Sequence, residues 1–111
     1  MIKDKFPNLS QFFGGYFHED WDLEAPDAEA VINNYLNDEK PRIVKQVIDE
    51  ISQLLEINLD RSQLSDVLAN DLRCSYDPTF YGISDIEWLR WVQATLKYGI
   101  ETTMSVGIFD K

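Results

Sequence analysis

The chain has 111 residues, 44% hydrophobic and 27% charged, a balance that excludes an intrinsically disordered segment and fits a single domain spanning residues 1–111. Its 20 acids against 10 Lys and Arg give a net charge of −10, which repels nucleic-acid phosphates and favours a basic partner. No apolar run reaches the roughly 20 residues of a bilayer helix, and MIKDKFPN lacks a signal-peptide core. Cys74 alone supports neither an internal disulfide nor a cysteine zinc site, so the expected location is cytoplasmic, without membrane contact.

In chain order the pattern predicts helices. Phe6 to Phe13 reads as a short N-terminal helix that Gly14-Gly15 would end. Pro26 and Asp27 suit the start of the next helix, where Ala28, Val31, Ile32, Tyr35 and Leu36 form one apolar stripe and Asn37-Asp38 the end. Lys40-Pro41 opens the clearest amphipathic segment, with Val44, Val47, Ile48, Ile51, Leu54 and Leu55 on one side and an end near Ile57. Asp60 and Gln63 form a capping box for a helix that buries Leu64, Val67, Leu68 and Leu72. Arg73 to Ile83 breaks the period, with Pro78 and Gly82 as punctuation and Phe80 expected in the core. Ser84 and Glu87 form a second capping box before a helix with Leu89, Val92 and Leu96 inward; Gly99 reads as its stop, and Met104 to Phe109 has some strand character. The expected fold is all-α: a compact bundle of about four main helices plus a short N-terminal one.

The negative charge is unevenly spread. Residues 6–39 contain Glu19, Asp20, Asp22, Glu24, Asp27, Glu29, Asp38 and Glu39 and no Lys or Arg, so most of the excess lies in the first third. Within it, FFGGYFHEDWDLEAPD raises four possibilities: an active site, a metal loop, a recognition surface or a packing corner. His18 is the only histidine, and no nucleophile elbow or catalytic cysteine signature accompanies it. Asp20, Asp22 and Glu24 alternate like the first ligands of a calcium loop, but the required sixth-position Gly and twelfth-position Glu are Ala25 and Val31. No phosphate-binding glycine loop is present. These observations assign no catalytic residue, metal or cofactor. Phe12, Phe13 and Phe17 are expected in the core. Tyr16 and Trp21, with polar atoms and acidic neighbours, suit either the core or an interface. Tyr76 and Tyr81 flank an irregular loop near Asp71 and Asp77, the kind of segment that carries recognition.

FPNLSQFFGGYFHEDWDLE resembles the opening motif of small immunity proteins from bacterial contact-dependent growth inhibition systems. The likeness continues through DAEAVINNYLND, PRIVKQVIDEISQLL, CSYDP and GISDIEWLRWVQATL, about residues 6–96, with 97–111 as a C-terminal tail outside it. The resemblance implies a non-enzymatic cytosolic antidote. Its partner would be the C-terminal toxin domain, often a nuclease, of a large secreted effector, met as a monomer in a one-to-one complex. It also implies that Phe12, Phe13, Gly14, Gly15, Tyr16, Phe17, His18 and Trp21 maintain the fold, the glycines through a tight turn or close backbone approach. Partner choice would fall to Glu19, Asp20, Asp22, Glu24, Asp27, Glu29, Asn33, Asp71, Tyr76, Asp77 and Tyr81. A generic acidic adaptor domain and a small carboxylate hydrolase are the competing readings.

Overall fold

Five apolar residues at helical spacing determine where the central helix lies. Val44, Val47, Ile48, Ile51 and Leu54 are buried along one side of Pro41–Glu56, and burying each is worth roughly 1.5–3 kcal/mol. The structure, a computed structural model, describes residues 2–109, with side chains from 4 to 102. Its α-helices are α1 (Ile2–Lys5), α2 (Pro7–Tyr16), α3 (Trp21–Glu24), α4 (Ala28–Asp38), α5 (Pro41–Glu56), α6 (Arg61–Asp66) and α7 (Asp85–Phe109). A π-helical turn, Val67–Asp71, continues α6, and a 3₁₀ turn spans Pro78–Tyr81. Among the described residues the fold is all-α, with α5 packed against α2 and α7, and α4 against the same two helices.

The caps follow the sequence. The Asp27 carboxylate accepts the Ala30 N–H at 2.9 Å, and Asp60 and Gln63 form the reciprocal capping box. At α7 the Ser84 hydroxyl oxygen accepts the Glu87 N–H at 3.1 Å. α2 is capped differently. Phe6 offers it no side-chain cap, and Glu50 supplies the acceptor from α5: its Oε1 takes the buried Leu9 N–H at 2.9 Å and its Oε2 the Asn8 amide at 2.8 Å. Glu50 is therefore buried although it reads as a polar position in the sequence.

The structure revises three local expectations. Gly14 and Gly15 do not end α2, which continues to Tyr16; neither has a positive φ, and a Cβ on Gly14 would make only an ordinary 3.7 Å contact with the Arg73 Cβ. Gly99 is not a stop. It lies inside α7 because a Cβ there would fall on the Leu36 Cδ1, so the glycine lets α4 and α7 approach closely. The stretch Met104 to Phe109 is helical rather than strand-like, completing α7; its side chains lie outside the described residues.

Candidate protein-binding face

The irregular segment between the π turn and α7 is held firmly to the end of α2. Arg73 adopts a left-handed conformation (φ 57°), which lets the Cys74 N–H reach the Leu68 carbonyl at 2.8 Å. The Ser75 N–H then donates to the Phe17 carbonyl at 2.7 Å. Asp77 Oδ1 accepts from the Thr79 N–H at 3.0 Å and its hydroxyl at 2.6 Å, fixing the 3₁₀ turn. Gly82 closes that turn at φ 79°, a conformation that favours glycine.

This backbone carries an aromatic stack from core to surface. Phe13 and the buried Trp88 stack with centroids 5.5 Å apart; Tyr76 lies on Trp88 at 5.1 Å and 16°, and Tyr81 on Tyr76 at 5.3 Å and 14°. Trp21 meets Tyr76 edge-on at 5.3 Å, joining α3 to the loop, and Phe17 packs against both. Phe12, Phe13 and Phe17 are buried as expected, whereas Tyr16 and Trp21 are half-buried. The Tyr16 hydroxyl donates to Asp38 at 2.8 Å, and burial together with that bond pushes its pKa up to about 12. Phe80 reverses its expected place. It is 81% exposed and packs edge-on against Tyr81, because the turn directs it outward while Pro78 is buried.

Two of the openings that Tyr76 lines lie on this face. One, of about 370 Å³, is also lined by Asp27, Glu29, Ile83, Trp88 and Trp91. The other, of about 160 Å³, includes Trp21, Asp77, Phe80 and Tyr81. The fold thus gathers Asp27, Glu29, Tyr76, Asp77 and Tyr81 from two distant parts of the sequence. Glu19, Asp20, Asp22 and Glu24 are exposed on and just before α3; Asn33 is exposed on α4, and Asp71 is half-buried at the end of the π turn, but neither lines these openings. His18 is oriented by the same segment: its Nδ1 accepts the Asp20 N–H at 3.1 Å, so Nε2 carries the proton toward Glu24 Oε1 at 2.8 Å. The exposed apolar members, Phe80, Ile83 and Trp91, escape sequence reasoning because helical periodicity alone gives no outward signal for them.

The Cys74 thiol is buried, and burial pushes its pKa up to about 12, which leaves it unsuited to act as a nucleophile. Among the described residues, no three His, Cys, Asp or Glu side chains converge as a metal site. No described helix is long and apolar enough to cross a membrane.

The CdiI immunity protein family model matches residues 5–96. The chain belongs to the CdiI immunity protein family. The matched span contains α2 to α6, the aromatic stack and the first part of α7, so the candidate face lies within the CdiI region. The fold is also similar to a chain in the crystal structure of a CdiA-CT/CdiI complex from Y. kristensenii 33638. The TM-score is 0.78 and the identity 30%, with 83% of this chain and 98% of that chain covered. A search of curated proteins found no match.

Proposed function

We propose that this chain is a non-enzymatic antidote that binds and neutralises the C-terminal toxin domain of a contact-dependent growth inhibition effector. The observation that carries the reading is its similarity, at 30% identity over 83% of the chain, to a chain solved in a toxin–immunity complex. The molecule acts as one domain and a monomer, in the cytoplasm of the cell it protects, and forms a one-to-one complex.

The physics supports a particular way of binding. Tyr81, Phe80, Ile83 and Trp91 offer apolar contact beside Asp27, Glu29 and Asp77, and an apolar patch with a charged rim suits protein recognition. Glu19, Asp20, Asp22 and Glu24 extend the negative field. A nuclease that holds phosphates presents a basic surface, so an acidic face can cover that surface and compete with nucleic acid. Asn33 and Asp71 contribute at the margin. The toxin accordingly belongs to the nuclease class.

The test is direct. The purified chain and the toxin domain encoded immediately upstream should form a tight complex at low salt, measured by calorimetry. Failure to associate would reject the function and favour the adaptor reading.

A further inference from the structure

One buried carboxylate takes no part in the helix caps. Asp85, in the first turn of α7, is only 6% exposed, and its Oδ2 is sealed from solvent without meeting a hydrogen-bond donor. It borders a cavity of about 300 Å³ that Ser65, Ser75, Asp77 and Pro78 also line. Asp77 commits Oδ1 to Thr79. Two carboxylates therefore border one small space, one of them with a buried, unpartnered oxygen. Burial, followed by the nearby Asp77, raises the Asp85 pKa, while Arg61 lowers it.

A buried acceptor without a donor costs free energy, and such groups are uncommon in folded proteins. A partner that brings a donor recovers that cost on binding. Three kinds of donor are possible. A hard divalent cation needs about six or more oxygen ligands, and no metal-binding group converges among the described residues. An ammonium is compact and strongly hydrated, which makes it costly to strip of water. A guanidinium is planar, more weakly hydrated and has five N–H donors, enough to reach two carboxylates from one side chain.

We propose that this cavity receives an arginine side chain of the toxin domain, whose guanidinium donates to Asp77 and, as the Asp85 carboxylate turns its buried Oδ2 into the cavity, to Asp85. The site rests on the toxin-binding reading above and deepens it. It adds a specific charged socket beside the aromatic face, with Tyr76 lining both spaces. The surface acids steer approach; the socket slows release.

The probe is the toxin domain encoded upstream, as wild type and as a set of single Arg→Ala variants. Asp85→Asn keeps the shape of the side chain and removes its charge. The free variant should unfold at the same temperature as wild type or higher, while its complex should dissociate about 30-fold faster or more. One toxin Arg→Ala variant should show a similar loss, and combining it with Asp85→Asn should add little further. A wild-type release rate for Asp85→Asn, or full additivity with every toxin arginine, would overturn the socket while leaving the proposed function standing. If Arg61 occupies the space in solution, Arg61→Ala and Asp85→Asn would each lower the unfolding temperature of the free protein, which also overturns it. No wild-type complex at all would remove the socket together with the function on which it rests.

Discussion

Replacing Glu50 by alanine should destabilise the protein by about 2–3 kcal/mol. The change leaves the Leu9 N–H buried at the start of α2 without its 2.9 Å acceptor, and an unsatisfied buried donor costs about 1–3 kcal/mol. The lost Asn8 contact adds less, because Asn8 is exposed and keeps a 3.0 Å bond to Gln46. For a domain of this size, each kcal/mol moves the melting temperature by about 4 °C, so a fall of roughly 8–12 °C is expected. Thermal unfolding by far-UV circular dichroism, backed by urea melts, measures it. Glu50→Gln should lose only about 1 kcal/mol, since an amide oxygen can still accept the Leu9 N–H but without the charge that favours a helix N-terminus. A change below about 0.5 kcal/mol for Glu50→Ala, the range of surface substitutions, would refute the claim that α5 caps α2. The consequence reaches the candidate face, because α2 carries Phe13 beneath the stack and leads into the Phe17 carbonyl that holds Ser75. Amide exchange at Ser75 should therefore quicken in Glu50→Ala.

Other outcomes follow from the same geometry. Phe80→Ala and Tyr81→Ala, measured by thermal melts and by toxin binding, should leave the fold intact and weaken the complex; unchanged affinity in both would move the interface off the 3₁₀ turn. Asp20→Lys combined with Asp22→Lys should slow association about tenfold at low salt with little effect on dissociation, as read by stopped flow; an unchanged association rate would place the interface away from α3. Asp85 has a folded pKa above its ordinary 3.8, so its stabilising contribution is complete below pH 3.8 and is lost as pH rises through the raised value. The stability advantage of Asp85→Asn over wild type in urea melts should therefore grow from pH 3.8 upward and then level off.

Helix positions were legible where local chemistry decides them. The period of Val44 to Leu54 placed α5, and Asp27, Asp60 and Ser84 marked three helix starts. The misread features depend on tertiary neighbours. Gly99 looks like a stop, but in the bundle it makes room for Leu36, and Gly14-Gly15 stay helical within α2. Phe80 looks like core until the turn that buries Pro78 directs the ring outward. Glu50 and Asp85 gave no signal, since a carboxylate's burial is set by helices distant in sequence. At the candidate site the acids and Tyr76 could be named from sequence. Their assembly around shared openings required the Trp21–Tyr76 contact and the Ser75–Phe17 hydrogen bond.

On the proposed function, this CdiI-family chain disarms its toxin by binding it. A titration of purified chain into the toxin domain encoded upstream, following the nuclease activity proposed for that domain at low salt, tests this most directly. Activity should fall in proportion to added chain and vanish at one equivalent. Full activity in a large molar excess of the chain would contradict the account.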